Sequence, residues 1–151
     1  MYFKKLFFSF LFFSPFLLSA QVKIVKTQEE WKKILSPNQY YVLREKGTEP
    51  ATTGRYDKHF EKGIYQCAGC KTILFSSKNK YDAHCGWPSF DRSLQNSIEE
   101  REDNSYGWKR TEVICSTCEG HLGHVFNDGP KNTTGKRYCI NSAALEFERK
   151  K

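Results

Sequence analysis

Beyond its first twenty residues the chain lacks any long hydrophobic run, and it also lacks internal repeats and low-complexity tracts. A membrane-spanning helix needs roughly 20 consecutive apolar residues, so we expect no span in the rest of the chain. The 151 residues favour one compact domain, and 38% hydrophobic content with 15% aromatics is enough to form a core. This composition excludes wholesale disorder.

The chain also lacks the clustered basic face that nucleic-acid-binding proteins usually present. Its 24 Lys and Arg exceed its 17 Asp and Glu, giving a formal charge of +7, but this surplus is spread along the sequence. The sequence therefore predicts no nucleic-acid partner. We expect the lysines in the middle of the chain to form a solvated surface, namely Lys58, Lys62, Lys78, Lys80 and Lys109.

Within residues 1–20, Lys4 and Lys5 precede a Phe- and Leu-rich run that ends in the small residues Ser19 and Ala20. This order is typical of a secretory signal peptide. An uncleaved N-terminal anchor is the alternative, but Pro15 and the small residues favour cleavage after Ala20. The segment predicts an exported protein, periplasmic or secreted, that is not inserted stably in a membrane after cleavage.

Two short helices are predicted before the main body of the chain. Thr27 and Glu30 fit a capping box, and apolar residues follow them at helical spacing. Residues 36–39 repeat this pattern with Pro37 at the first helical position. Gly47 is expected to end the second helix.

Five later segments are rich in aromatic and β-branched residues and are separated by Gly, Asn, Asp and Ser. They are GIYQC, KTILFSS, YGWKRTEVIC, LGHVF and RYCINSAALEFE. Residues of these types are enriched in strands, and the separating residues are typical of turns. The pattern predicts a mainly β domain whose strands are mostly antiparallel.

Four of the six cysteines form two CxxC pairs, Cys67 with Cys70 and Cys115 with Cys118. A tight turn at each pair can present two thiolates, so the two pairs can complete a tetrahedral site for structural Zn²⁺. Disulfides within or between the pairs are the alternative in an oxidising compartment. Paired CxxC turns suit tetrahedral ligation better than strained disulfides, so the spacing favours zinc.

The two remaining cysteines, Cys85 and Cys139, lie outside this set. Cys85 is in the turn-rich segment DAHCGWPSF. If RYCIN is a strand, Arg137, Cys139 and Asn141 share one face. A guanidinium beside a thiol favours the thiolate, and an amide donor can help to hold it. An isolated strand cysteine is ordinarily an inert core residue, but these neighbours favour a nucleophile at Cys139.

His121 and His124 lie between the second CxxC pair and Cys139. Each could be a metal ligand, a structural hydrogen-bonding group or a proton donor. Four cysteines already complete a zinc site, so the ligand role is the least economical. Reduction of an oxygenated sulfur requires a proton donor beside the attacking thiolate, because the departing oxygen must be protonated.

The motifs REKGTEP, CAGC, CGWPSF, CSTC, GHLGHVF, DGP and RYCINSAAL occur in this order. The set resembles the B-type peptide methionine sulfoxide reductases, the methionine-R-sulfoxide reductase family. The resemblance implies a domain at residues 36–148, after a linker and helix at 21–35 and before a basic end at 149–151. It also implies two antiparallel β-sheets in a β-tent, with the zinc knuckles at one end and short helices outside.

The resemblance implies roles for individual residues as well. Cys139 falls at the position of the catalytic thiol, and Cys85 at that of the resolving thiol that some members keep. His124 matches the catalytic acid, with His121 beside it, and Trp87 matches the indole that packs on the substrate methyl group. The supporting polar residues of the family are matched by Asp128, Arg137 and Asn141.

The implied reaction reduces the R epimer of methionine sulfoxide in exported proteins. Cys139 attacks the sulfoxide sulfur while His124 protonates the oxygen, and Cys139 becomes a sulfenic acid. Cys85 then condenses with Cys139 to form a disulfide that a thioredoxin-like partner reduces. A non-catalytic zinc-knuckle binding module and a general thiol oxidoreductase remain as other classes. We expect a monomer.

Overall fold

The computed structural model describes residues 22–105 and 107–150, so the predicted targeting segment at 1–20 lies outside the described residues. Within that described part, no helix is long and apolar enough to cross a bilayer. The described residues form two α-helices, two 3₁₀ turns and nine strands. The helices are α1 (Gln28–Ile34) and α2 (Pro37–Glu45), and the 3₁₀ turns are Ser77–Asn79 and Ser142–Ala144. The strands are β1 (Gly63–Cys67), β2 (Ile73–Ser76), β3 (Lys80–Tyr81), β4 (Ser89–Phe90), β5 (Ile98–Asp103), β6 (Arg110–Cys115), β7 (His121–Phe126), β8 (Arg137–Ile140) and β9 (Leu145–Arg149).

Both predicted helices are present with the predicted caps. The Thr27 hydroxyl accepts a hydrogen bond from the backbone of Glu30, whose carboxylate accepts one from the backbone of Thr27 in return. α2 begins with the same reciprocal arrangement and has proline at its start. Its end differs from the prediction, because Lys46 takes the left-handed conformation with φ of 57°. Gly47 instead avoids a steric clash, because a Cβ at this position would lie 2.3 Å from the Tyr41 ring.

The strands form two antiparallel sheets, as predicted. The smaller sheet has three strands in the order β2-β1-β9, and the larger has six in the order β3-β4-β8-β7-β6-β5. Three of these strands were not predicted. β3 and β4 have two residues each, and β5 is the charge-rich sequence IEERED at the sheet edge.

Aromatic side chains join the two sheets. Phe75 of the smaller sheet stacks on Phe90 of the larger, with ring centroids 4.3 Å apart, and Tyr65 meets Phe90 edge-on at 5.1 Å. All three side chains are fully buried. Trp31 of α1 and Leu43 of α2 are also buried, so the helices cover part of the same core. Burial of such large rings fixes the relative position of the sheets that carry the site.

Lys80 departs from its predicted place on the solvated surface. Its side chain is buried, its Nζ donates to the Asp57 carbonyl at 2.7 Å, and it lies 4.1 Å above the centre of the Phe60 ring. Burial lowers the pKa of Lys80 to about 8. The prediction from charge alone was wrong here because an ammonium with a carbonyl and an aromatic face beside it can be accommodated inside.

Candidate active site

One face of the larger sheet carries a row of reactive side chains. In the registers of β4, β8, β7 and β6, the residues directly opposite one another are Ser89, Cys139, His124 and Glu112. Opposed residues of antiparallel strands point to the same face. The row therefore holds a hydroxyl, a thiol, an imidazole and a carboxylate. Gly123 allows the close approach of β7 to β8, since a Cβ there would lie 2.1 Å from the Cys139 carbonyl oxygen.

An irregularity in the β6–β7 pairing brings His121 to this face as well. Val113 pairs with Gly123 and Ile114 pairs with His121, so Leu122 is an extra residue on β7. A bulge of this kind re-aims the side chains beyond it. As a result the His121 and His124 rings lie with centroids 5.4 Å apart, although their spacing in a regular strand would put them on opposite faces.

Cys85 and Cys139 are brought together as a dithiol. Their Sγ atoms are 3.6 Å apart, and both cysteines are free. A disulfide bond is about 2.05 Å long, so a modest movement would join them. The Ser89 hydroxyl lies 3.3 Å from the Cys85 Sγ and 3.2 Å from the Trp87 carbonyl, which fixes the turn that holds Cys85.

The two thiols differ in acidity. Burial, together with the neighbouring Cys85, raises the pKa of Cys139 to about 12, and Arg137 only partly opposes this change. The burial of Cys85 also works against ionisation, but the Ser89 hydroxyl and Arg137 contribute to a net lowering of its pKa. The expectation that Arg137 keeps Cys139 anionic is therefore wrong for the dithiol state, because desolvation of the sulfur outweighs the guanidinium.

Arg137 is held in place by Asp128 and Phe126. Its Nε and Nη2 donate to the two carboxylate oxygens of Asp128, both at 2.8 Å, and its guanidinium lies 4.4 Å from the centre of the Phe126 ring. A bidentate pair of this kind fixes the direction of the guanidinium. The hydrogen bond from Arg137 also lowers the pKa of Asp128.

His124 and His121 are each bound to a carboxylate that the sequence did not indicate. His124 Nε2 lies 2.8 Å from an oxygen of Asp103, and His121 Nδ1 lies 2.8 Å from an oxygen of Glu112. Burial lowers the pKa of His124, while the bond to Asp103 opposes this change. Burial would raise the pKa of Glu112, but hydrogen bonds from His121 and Lys46 lower it to about 2.

Asn141 and Trp87 are positioned through Glu49. Asn141 donates from Nδ2 to the Leu122 carbonyl at 3.0 Å and accepts at Oδ1 from the Glu49 backbone at 3.0 Å. Its amide is thus engaged in tying β7 to the loop after α2, and it does not bind the Cys139 thiol. The Trp87 indole donates to the Glu49 carbonyl at 3.1 Å. The Glu49 carboxylate in turn accepts from the backbone of Ala143 at 2.9 Å.

A cavity of about 150 Å³ opens over Cys139. Its lining combines the apolar side chains of Trp87 and Phe126 with the polar side chains of His124, Asn141 and Arg110. Thr48 and Gly123 complete the lining. A cavity of this volume can hold a small side chain with one polar oxygen. A side chain bound there would lie next to the Cys139 thiol and the His124 imidazole.

The four CxxC cysteines converge at a separate place. Their Sγ atoms all lie within 4.8 Å of one another, with Cys67 and Cys118 at 3.6 Å and Cys70 and Cys115 at 3.5 Å. Tetrahedral ligation at Zn–S of about 2.3 Å puts the sulfurs about 3.8 Å apart. These four thiols could therefore hold one metal ion, and none of the four is in a disulfide.

Several residues around the site were missed by sequence reasoning, namely Glu49, Thr48, Asp103, Arg110, Glu112 and Phe126. Glu112 had a usable signal, because an acidic residue lies between Thr and Val in a strand whose next residues are apolar. Buried charges require partners, so a carboxylate in such a strand indicates a cation or a histidine nearby. Asp103 had no comparable signal, since it ends a strand that was not predicted.

Comparison with known proteins gives consistent matches. A family model described as SelR domain matches residues 35–149. Three similar proteins, each named peptide methionine sulfoxide reductase MsrB, come from Chromohalobacter salexigens, Leptospira interrogans and Bradyrhizobium diazoefficiens. Their identities are 56%, 52% and 53%, and the matches cover 83%, 84% and 85% of this chain and 95%, 97% and 92% of the relatives. Among solved structures, the Mis18 "Yippee-like" domain is similar with a TM-score of 0.49 and 18% identity, over 60% of this chain and 99% of that one.

The predicted exported location is wrong by these comparisons. The relatives are named simply as MsrB, without reference to export. An apolar run behind two lysines is a compositional pattern that does not by itself fix where a protein resides. We therefore assign neither a periplasmic nor a secreted location.

Proposed function

Because the chain belongs to the SelR domain family and is a peptide methionine sulfoxide reductase of the MsrB type, we propose that it reduces the R epimer of methionine sulfoxide through Cys139 and Cys85. The observation that carries this proposal is the dithiol itself. Two free sulfurs 3.6 Å apart lie beside a cavity that His124 and Trp87 also line. We place the catalytic domain at residues 36–148.

In the first step the Cys139 sulfur attacks the sulfoxide sulfur, and His124 supplies a proton to the sulfoxide oxygen. Two electrons pass from Cys139 to the substrate, methionine leaves, and the oxygen remains on Cys139 as a sulfenic acid. Because its pKa is raised, Cys139 begins as a thiol, and its proton passes to solvent as the sulfur attacks. His124 regains a proton from solvent, so the step consumes no net proton. Arg137 favours the thiolate form of Cys139, and Asp128 holds Arg137 in position.

In the second step Cys85 attacks the sulfenic acid, forming the Cys85–Cys139 disulfide and releasing water. The lowered pKa of Cys85 favours its thiolate as the attacking species. A thioredoxin-like dithiol then reduces the disulfide and restores both thiols. A single chain supplies every side chain named in this cycle, which supports a monomer as the working unit.

The cavity gives a physical basis for selecting one epimer. A sulfoxide is chiral, so only one epimer can put its methyl group on Trp87 and its oxygen towards His124 while the sulfur faces Cys139. His121 and Asn141 support this polar side, His121 through its ring contact with His124 and Asn141 through its place in the lining. The four clustered cysteines would hold a structural Zn²⁺, with no open position for chemistry.

The test of the function is an assay on a peptide that carries each separated epimer of methionine sulfoxide, with dithiothreitol as reductant. We expect turnover of the R epimer and a rate on the S epimer at least about a hundredfold lower, a difference of roughly 3 kcal/mol. Equal rates, or turnover of the S epimer alone, would remove the proposed selectivity.

Substitution of the resolving thiol separates the two steps. We expect Cys85→Ser to release one methionine per enzyme molecule and then stop when a thioredoxin-like protein is the reductant, because the disulfide cannot form. Methionine release is followed by chromatography over a single turnover. His84→Asn is the matched control, since His84 is exposed at the same turn and its φ of 53° is tolerated by asparagine. Unimpaired multiple turnover by Cys85→Ser would show that Cys85 does not resolve the sulfenic acid.

A further inference from the structure

Asp103, at the end of β5, is held by hydrogen bonds on both carboxylate oxygens. One oxygen accepts from His124 Nε2 at 2.8 Å and from Arg110 Nη2 at 2.6 Å. The other accepts from the backbone and hydroxyl of Ser105 at 3.0 and 2.6 Å. Asp103 and Arg110 are also directly paired in the β5–β6 register. The carboxylate is thus fixed by its own hairpin and aimed at one ring nitrogen of His124.

We propose that Asp103 is the positioning residue that fixes the ring of His124 and maintains its capacity to give a proton to the substrate. This inference rests on the proposed reduction of a sulfoxide. Asp103 does not contact the substrate in this proposal, since it is absent from the lining of the cavity over Cys139.

The proton positions on His124 follow from the chemistry of Asp103. An ionised carboxylate only accepts hydrogen bonds, so Nε2 of His124 must carry a hydrogen. In the neutral ring Nδ1 then has a bare lone pair and cannot donate. Only the doubly protonated ring can give a proton from Nδ1 and still keep the bond to Asp103. After the transfer the ring is neutral, Nε2 retains its hydrogen, and the proton is on the sulfoxide oxygen.

The groups around His124 have opposing effects on its pKa, and Asp103 is the group that raises it. Burial lowers the pKa of His124, and Arg110 and His121 act in the same direction, whereas Asp103 raises it. Hydrogen bonds from Ser105 and then His124 keep the pKa of Asp103 well below its ordinary value, so it stays an anion. The other charged or titratable groups on the elements around this ring are Glu112 of β6, Cys139 and Arg137 of β8, and Lys46 after α2.

The direct test is the titration of His124 by nitrogen-15 and proton NMR. Asp103→Asn keeps the shape and removes the charge, and an opposite charge at this range shifts a pKa by about 1 to 3 units. We therefore expect the pKa of His124 to fall by at least about 1 unit in Asp103→Asn. Glu102→Gln is the matched control, because Glu102 is the preceding residue, is exposed, and pairs with Lys109. It should leave the titration unchanged.

Kinetics give the second readout. Activity that needs protonated His124 is lost as pH rises through the pKa of His124, so a lower pKa moves this loss to lower pH. We expect the alkaline limb of kcat for Asp103→Asn to move down with the pKa, with kcat about tenfold lower above it and KM nearly unchanged. In a His124→Asn background, Asp103→Asn should cause no further loss.

Three results would overturn the inference. The first is a His124 pKa that does not change in Asp103→Asn. The second is a loss of kcat from Asp103→Asn that is as large in the His124→Asn background as in the unmodified enzyme. The third is the opposite ring tautomer of His124 in the unmodified enzyme, with hydrogen on Nδ1 alone. The tautomer measurement uses the native protein and therefore stands even if Asp103→Asn does not fold. The NMR results do not depend on turnover, so a failure of the proposed function in the epimer assay is seen separately.

Discussion

Replacement of Cys139 by serine lowers the rate of methionine sulfoxide reduction by at least about a thousandfold, in our expectation, with either dithiothreitol or a thioredoxin-like reductant. The reason is that a serine hydroxyl at this position can neither attack the sulfoxide sulfur nor accept its oxygen. No other described cysteine replaces it, since Cys139 is the one described cysteine in the lining of the cavity proposed to receive the substrate. The measurement is the rate of methionine release from an oxidised peptide.

The neighbouring residue provides the control for this variant. Tyr138 precedes Cys139 on β8, and its hydroxyl donates to Glu100 at 2.9 Å. Tyr138→Phe should lose about 1 kcal/mol of folding free energy and keep its activity. A Cys139→Ser protein that still reduces the peptide would contradict the assignment of the nucleophile. If wild-type protein binds oxidised peptides without reducing them, the binding-module alternative holds.

The second large effect is expected from loss of the Zn²⁺ that we propose the four clustered cysteines hold. Replacing Cys118 by serine, or extracting the metal with a strong chelator, should lower the Tm by at least about 10 °C. Structural zinc contributes about 10–16 kcal/mol to the folding of zinc-finger peptides, and a domain of this size loses a few degrees per kcal/mol. Here the four cysteines connect β1 with the end of β6, so their release frees both sheets. Calorimetry measures the Tm, and elemental analysis measures the metal.

Cys85→Ser is the control for this experiment, because it also removes one thiol but leaves the four clustered cysteines intact. It should keep one zinc per chain and a Tm within about 2 °C of the original, in the range of ordinary non-core substitutions. A zinc-free protein with an unchanged Tm and intact disulfides at the CxxC pairs would contradict the metal assignment in favour of the disulfide alternative.

Local signals in the sequence were sufficient for the helices and for most strands. The capping boxes at Thr27 and Ser36 involve residues three apart, so the pattern contains both partners of each hydrogen bond. The β-branched and aromatic segments likewise predicted six of the described strands, but not the two-residue strands β3 and β4. β5 was not predicted, because its residues are mostly charged and it forms the edge of the larger sheet, where its burial is slight. An edge strand of this kind has no apolar alternation to reveal it.

The sequence indicated the candidate site only in part, and it did not indicate the carboxylates that pair with the two histidines. Motif resemblance indicated Cys139, Cys85 and His124, and the structure brings them together. It could not indicate Asp103, which is 21 residues from His124 and reaches it only through the β5–β6 hairpin. The bulge at Leu122 likewise places His121 beside His124 against regular alternation. The raised pKa of Cys139 depends on burial, which the adjacent residues in the sequence do not determine.

The most direct measurement is a single turnover with Cys85→Ser enzyme in the presence of a reagent that traps sulfenic acids, followed by mass spectrometry of the peptides. Without Cys85 the oxygen taken from the substrate should remain on Cys139. We predict one trapped adduct, on Cys139 alone, formed in equal amount to the methionine released. Methionine release with Cys139 unmodified would contradict the claim that this sulfur takes the oxygen.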